Sequence, residues 1–469
     1  MTRVLVTGAT GYVGSRLIPR LLEGGYEVRA TSRHPEDIGK RHPEVEAIAS
    51  DLQDESSLER VLRDVRVAYY LVHSMEAKGF VKKDQQAAAN FARAAAKAKI
   101  DRIIYLGGLG SSDDRLSQHL KSRHEVGRVL AEGDVPVLEF RAAIVIGSGS
   151  VAFEMLRHLT ERLPAMIAPR WLSTRIQPIG EWDLTSYLLG GATVDLHANT
   201  VVEVGGRQVL NYKQMILDYA EVRGLKRYIV GVPVLSPRLS SYWVDLVTPI
   251  SSAIAQPLID GLRNEVIVCD DSARRIFPDI DPVGYKESVS RAMSTQVDFL
   301  DSSSDPWLRP PPGSLDGMLV DMQRARSGAE EEALRAEIAG IGGDPKWYPL
   351  RWSWWIRARM DDVFGGDGLE WERPDRTLEP GDRVDWWTVQ QTGPERLLLK
   401  AEMRVPGEAW VEFRVVNRDP GSELRQTAYF RPRGLLGRLY WWLLWPFHVP
   451  IFRLMAKRLA RRAEFMGQR

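Results

Sequence analysis

The 469-residue chain carries 63 lysines and arginines against 62 aspartates and glutamates, a net charge of +1, which gives no whole-chain attraction to nucleic acid. Cys269 is its single cysteine, excluding an internal disulfide framework and a cysteine-based zinc cluster and fitting a reducing compartment. At roughly 150 residues per domain the length suits roughly two to four domains, and no apolar run reaches the roughly 20 residues of a membrane-spanning helix.

In chain order, Met1-Thr2-Arg3 leads straight into the apolar run Val4-Leu5-Val6, without the pattern of a secretory leader. The expectation is a cytoplasmic protein, with surface association left open. Up to about Gly147, "RVLVTG", "YEVRATS", "VRVAYYLVH", "DRIIYLGG" and "PVLEFRAAIVIG" read as buried strands. Helical stretches such as "GSRLIPRLLEGG", capped by Gly24-Gly25, and "KKDQQAAANFARAAAKAK" lie between them. This alternation predicts an α/β fold, a doubly wound parallel sheet with helices on both faces. From Ser148 to about Leu300 the pattern is less regular. "SVAFEMLRHLTERL" and "NYKQMILDYAEVRG" read as helices and "TVVEVGG" as a strand, and the apolar "RLSSYWVDLVTPISSAIAQPLIDGL" as helices lining a pocket. These residues predict a nucleotide-binding core over about 1–180 and a substrate subdomain over about 181–300.

"DSSSDPWLRPPPGS", from Asp301, is an extended linker placed at 301–315. Beyond it, over 316–469, most of the 15 tryptophans are found. "GMLVDMQRA" reads as a strand. Ser327 and Glu330 form a capping box that opens a helix stopping at Gly342-Gly343. In "LLLKAEMR", Leu397, Leu399, Ala401 and Met403 face one way. Val411, Phe413 and Val415 alternate likewise, and "TGPE", "VPGE" and "RDPGS" are turns joining an antiparallel meander. The chain closes in a mostly helical segment, and no internal repeat is visible.

The strongest signal is "VLVTGATGYVG", Val4 to Gly14. Gly8 permits a tight turn, Gly11 a close approach to a pyrophosphate, and Gly14 close packing of helix on sheet. The N–H groups at the helix start favour the anion. The expected cradle is Thr7, Gly8, Thr10, Gly11, Tyr12, Val13 and Gly14. At the end of the second strand stand Ser32 and Arg33, where an acidic residue would select NAD. A hydroxyl and a guanidinium suit a 2′-phosphate, so NADP(H) is favoured over NAD(H). Asp51-Leu52 is placed for the adenine edge, although Asp51 equally suits a turn. Leu71 and His73 follow the fourth strand, beside the cofactor's expected path.

At these residues the chain resembles the atypical short-chain dehydrogenase/reductase superfamily, close to its extended and NmrA-like branches. "TGATGYVG", "SRH", "SDL" and "FRAAIVIGSGS" match in order, with Arg141 and Gly147 in the superfamily's places. "QPI" from Gln177 to Ile179, followed by Asp183, resembles the segment that returns to the sheet. The similarity covers about residues 1–300. The C-terminal element order of strand, helix, meander and long final helix resembles the helix-grip (SRPBCC/START-like) fold, which usually encloses a hydrophobic ligand.

In that superfamily a Tyr-x-x-x-Lys pair on one helix face, with a serine ending the preceding strand, carries the proton chemistry. Here "LSQHLKSRHEVG" puts His119 in the tyrosine's place and Arg123 in the lysine's. Gly107 and Gly108 stand where the serine belongs, and Ser111 and Ser112 fall several residues late. Arg123 can hold ribose hydroxyls but cannot shuttle a proton. His119 can act as acid or base, or can be a plain helix residue.

No metal site emerges, because His42, His119, His124, His158 and His448 lack ligand spacing. Nor does "GSGS", Gly147 to Ser150, make a nucleophile elbow. Trp347, Trp352, Trp354, Trp355, Trp386, Trp387, Trp410, Trp441, Trp442 and Trp445 either line a deep apolar cavity or fill an ordinary core. The final segment, within 434–469, reads as the closing helix of a grip fold or as an interfacial membrane helix.

These residues and resemblances imply an NADP(H)-binding oxidoreductase, or an isomerase, for a hydrophobic small molecule shared between the two domains. Hydride would pass over Gly107-Gly108, and His119 or a water would supply the proton. A non-catalytic redox sensor or scaffold is the other reading. A lipid carrier docked on a membrane is a third, resting on the tail.

Overall fold

A computed structural model describes residues 2–73, 80–110, 116–168, 170–195, 197–231, 261, 264–299, 318–342, 373–393, 396–403, 405–417 and 421–466. It divides into two compact units, Met1–Leu308 and Arg309–Arg469.

The first unit opens with β1 (Arg3–Thr7), α1 (Tyr12–Glu23), β2 (Glu27–Ser32), α2 (Glu36–Arg41), β3 (Glu46–Ala49), α3 (Glu55–Leu62) and β4 (Val67–Tyr70). It continues through α4 (Phe80–Ala98), β5 (Arg102–Gly108), α5 (Gln118–Ala131), β6 (Val137–Ala142), α6 (Val151–Arg162), α7 (Glu181–Gly190) and β7 (Thr200–Val204). The seven strands form one parallel sheet in the order β7-β6-β5-β4-β1-β2-β3. Consecutive residues of β1 are apolar because both of its faces are covered. Leu5 packs into a core with Leu58, Phe91 and Leu130 of α3, α4 and α5. Val4 and Val6 pack on the other side with Leu17 of α1 and Leu188 of α7. The strand order reverses between β1 and β4, and in sheets of this kind the crevice that takes a ligand lies outside the C-terminal ends of the strands at that point. Gly25, with φ +77°, sits in the left-handed position just past α1.

The expected boundary near residue 180 does not divide the unit as its cores do. Leu184 and Leu188 of α7 and Val202 and Val204 of β7 belong to the sheet's core. A separate core joins α6 to α8 (Tyr212–Val222) and α10 (Tyr285–Phe299), through Phe153, Met215, Tyr219 and Val289. The chain therefore leaves the sheet at α6, returns at α7 and β7, and leaves again. A short helix, α9 (Ser272–Ile276), lies against β7. The apolar stretch 238–262 lies, apart from Gly261, outside the described residues, as does the linker 301–315.

The second unit contains β8 (Leu319–Ser327), α11 (Glu331–Ala339), β9 (Arg383–Val384), β10 (Trp387–Gly393), β11 (Arg396–Ala401), β12 (Gly407–Asn417), β13 (Ser422–Pro432) and α12 (Gly434–Met466). They make an antiparallel sheet, β8-β13-β12-β11-β10-β9. Leu397, Leu399, Val411, Phe413 and Val415 pack against Leu334 of α11 and Met455 and Leu459 of α12, on the face the alternation predicts.

Two expectations need correction. Ser327 is no helix cap: it ends β8, donates to the carbonyl of Ala460 at 2.9 Å and accepts from the amide of Ala329. Glu330 is the N-cap residue instead. The helix ends at Gly340, before Gly342-Gly343. Trp386 and Trp387 lie in the packed core, and Trp410 and Trp441 are buried. A cavity of about 510 Å³ in this unit has no tryptophan in its lining. Trp347, Trp352, Trp354 and Trp355 lie outside the described residues.

Candidate functional site

The turn from β1 into α1 is shaped by what cannot fit. Gly8 has φ +68°, and a Cβ there would lie 2.7 Å from the Leu71 carbonyl oxygen. A Cβ on Gly14 would lie 2.4 Å from the oxygen of Gly8, and one on Gly11 3.1 Å from it. Gly11 caps α1 without a side chain, and the first turn carries no acid. The free N–H groups and the positive end of the helix dipole therefore keep their capacity for an anion.

The side chains around this turn are engaged elsewhere. Buried Thr7 donates to the carbonyl of Tyr69 at 2.9 Å and accepts from the amide of Leu71, fastening β1 to the end of β4. Tyr12 donates to Glu181 at 2.5 Å, and burial pushes its hydroxyl's pKa up. Arg16 pairs with Glu181 at 3.2 Å and donates to the carbonyl of Ser148. Thr7 and Tyr12 can thus serve a dinucleotide through backbone and shape. Thr10 is exposed and Val13 half-buried.

At the end of β2, the hydroxyl of Ser32 accepts from the amide of His34 at 3.1 Å. Arg33 is exposed and, among the described residues, makes no hydrogen bond or ion pair. The carboxylate of Asp51 accepts from the amide of Gln53 at 3.0 Å, which is the turn role that its sequence left open. Leu52 packs partly against the α3–α4–α5 core.

The α5 end of the crevice is rebuilt. Ser117 caps the helix by accepting from the amide of Leu120. This places His119 in the first turn and Arg123 one turn on, on the same face. The space an orienting serine would need is filled. A Cβ on Gly108 would lie 2.7 Å from Leu120 Cδ2, and one on Gly107 would lie 2.6 Å from Glu139 Oε1. Glu139 is buried, pairs with Arg141 at 2.7 Å and also closes on Gly127 of α5. Arg123 donates to the carbonyl of Leu106, and its own carbonyl accepts from Tyr105. Among the described residues its buried Nε has no partner. His124 meets the carbonyl of Gly108 at 2.9 Å. Ser111 and Ser112 lie outside the described residues.

His119 does not stand alone. Its Nδ1 lies 3.1 Å from Nε2 of His73, and Nδ1 of His73 lies 3.1 Å from a carboxylate oxygen of Asp84 on α4. The two imidazoles meet edge to face. Burial, then the charge of Arg123, pulls His119 down from the usual 6.5 to about 3. Burial also lowers His73, against the pull of Asp84. The carboxylate fixes the tautomers. His73 donates its Nδ1–H to Asp84, so its Nε2 accepts from His119 Nδ1–H, and His119 Nε2 carries no proton. Asp84 escaped sequence reasoning. Its signal was present: it is the one carboxylate of the alanine-rich α4, and it is buried. Among the described residues, no group of three or more histidine, cysteine or carboxylate side chains is placed to hold a metal ion.

This geometry is that of a Rossmann-like domain, a fold like that of the atypical short-chain dehydrogenases and reductases. Comparison with known proteins agrees. Residues 8–134 match a family model described as NAD(P)H-binding, and residues 316–455 match one described as a protein of unknown function, DUF2867. A ceramide reductase of Caulobacter vibrioides is 28% identical over 234 residues, 49% of this chain and 73% of that one. A dihydroflavonol 4-reductase of Zea mays is 36% identical over 92 residues, which span 18% of this chain and only 25% of the relative. The structure of a Citrobacter triphenylmethane reductase complexed with NADP(H) superposes with a TM-score of 0.51 at 19% identity, covering 62% of this chain and 99% of that one.

Proposed function

We propose that the first unit binds NADP(H) and reduces a carbonyl or activated alkene in a hydrophobic small molecule, with proton transfer from His73 through His119 and with Asp84 orienting His73. The observation that carries this reading is the three-residue hydrogen-bonded chain, all three members of which are largely withdrawn from water. The bound dinucleotide would supply hydride from its nicotinamide C4. The protein would hold the proton. In the loaded state His73 is an imidazolium beside Asp84 and His119 carries its proton on Nε2. As the substrate oxygen or carbon takes that proton, His119 regains one at Nδ1 from His73. His119 stays neutral throughout, in keeping with its low basicity. Arg123 holds the ribose end in the place of the superfamily's lysine.

The preference for NADP(H) rests on the exposed guanidinium of Arg33 next to Ser32. Replacing Arg33 by alanine should weaken NADPH by roughly tenfold and leave NADH nearly unchanged, by fluorescence titration. The hydrophobic ligand of the second unit finds support in its cavity. Leu397, Phe413 and Val415 line it beside Arg335, Arg373 and Arg376, as an apolar molecule with an acidic group would require. A cytoplasmic setting fits the lone, exposed Cys269.

The test is NADPH oxidation with a panel of hydrophobic ketones, aldehydes and enones, using the wild type and His119→Phe. A fall of roughly 10²-fold or more in turnover with unchanged NADPH affinity is expected of the variant. Equal rates would remove His119 from the chemistry. The space filled by Leu120 beside Gly108 favours a second reading, a redox sensor. Tight NADPH binding by the wild type with no turnover across the panel would decide for it.

A further inference from the structure

The long helix α12 has two apolar sides, and the fold buries one. Phe452, Met455, Leu459 and Ala463 pack into the core under the sheet, and Trp441 stacks on Phe430 with ring centroids 5.6 Å apart. The outward side of its first half is apolar as well. Leu436, Leu439, Trp442, Leu443 and Phe447 are 74%, 65%, 57%, 69% and 62% exposed, with Pro446 and Pro450 exposed among them. They recur every three or four residues and so form one stripe along the helix. A helix on the surface of a water-soluble domain ordinarily carries charge there. Further along, the same stripe turns basic, with Arg453, Lys457, Arg458 and Arg461 exposed. From Gly434 to Ala463 the sequence holds no carboxylate.

We propose that α12 seats the protein on an anionic lipid surface. The first turns would lie at the boundary of headgroups and acyl chains, and the four cations on lipid phosphates. Three features favour this occupant. The stripe joins an apolar half to a basic half, which is the composition a negatively charged bilayer surface complements. Trp442 offers an apolar ring with a polar N–H, suited to an interface. Pro446 and Pro450 each remove a helical N–H and free a carbonyl one turn back, groups that the hydrated headgroup region can satisfy and hydrocarbon cannot. Among the described residues no helix is long and apolar enough to cross a membrane, so the seat is in the plane of the surface. A second copy of the helix would bring the four cations no carboxylate but Glu464, which already accepts from the amide of Gly328 at 2.7 Å.

The experiment is co-sedimentation of the full chain with phosphatidylcholine vesicles, with and without phosphatidylglycerol. The wild type should pellet with the mixed vesicles and be released by salt. Leu439→Glu/Leu443→Glu should lower the partition at least tenfold. Lys457→Glu/Arg458→Glu/Arg461→Glu should abolish the preference for phosphatidylglycerol. All of these side chains are exposed, so the melting temperatures should match the wild type's. A wild type that stays in the supernatant would overturn the proposal, as would variants that bind like it. So would a dimer that Leu439→Glu/Leu443→Glu converts to monomer without change in lipid binding.

Discussion

At the phosphate end of the crevice the close contacts are backbone on backbone. The oxygen of Gly8 bars a side chain at Gly14, and the oxygen of Leu71 bars one at Gly8. At the α5 end the close contacts run through side chains: Leu120 fills the space beside Gly108, Glu139 fills that beside Gly107, and His119 leans on His73. The contrast teaches how a nucleotide fold diverges. Holding a pyrophosphate needs N–H groups and room, which few sequences supply. Moving a proton needs only a titratable group in reach and something to orient it, which many sequences can supply.

The sharpest way to break the comparison is at the phosphate end. Gly14→Ala puts a methyl where only a backbone oxygen fits, and neither neighbour can swing away. NADPH affinity should fall by roughly 100-fold or more, with a loss of about 1–3 kcal/mol in stability. Titration calorimetry and thermal melts would show both. A variant that binds NADPH normally would mean that the cradle is not where the anion sits.

The other end should respond differently. Asp84→Asn keeps the shape of the side chain but presents an amide to His73. Asp84 is a positioning residue, so the variant should bind NADPH as the wild type does and turn over roughly 10- to 100-fold more slowly. The pH profile separates this from mere damage. Reduction needs the loaded relay, so the wild-type rate falls as pH rises through the titration of His73. Without the carboxylate, that fall moves to lower pH. An unchanged profile would remove Asp84 from the relay.

The two ends also differ in how far the sequence disclosed them. The glycine trio is local: strand, turn and helix follow one another within Val4 to Glu23, and periodicity places all three. His119 and Arg123 are equally local, four residues apart on one helix. Asp84 and His73 come from α4 and from the segment after β4, and only the parallel pairing of β4 with β5 brings them beside α5. No spacing rule links residues 73, 84 and 119. The capping box failed for a related reason. Ser327 and Glu330 have the right spacing, but β8 pairs with β13 as far as Ser327↔Ser422, so the sheet claims the residue first. The closing segment suits two alternatives by sequence, and α12 offers a buried face to one and an exposed face to the other.

The smallest expected effect tests the burial of His119 without any substrate. In the folded chain its pKa is held near 3, against 6.5 in the unfolded chain. Between those values the unfolded chain takes up a proton that the folded chain refuses, so stability falls as pH drops through this window and is recovered above it. His119→Gln abolishes that proton uptake. It also replaces the bond to His73 with a poorer one, so at pH 8 the variant should be less stable by about 1 kcal/mol. As pH falls its stability should decline less steeply than the wild type's, by up to about 1.4 kcal/mol per pH unit, so the two curves should meet near about pH 6 and cross below it. Parallel curves by urea denaturation would mean that His119 is open to water. The histidine pair would then be an exposed contact on α5, and the difference between the two ends of the crevice would shrink to the phosphate cradle alone.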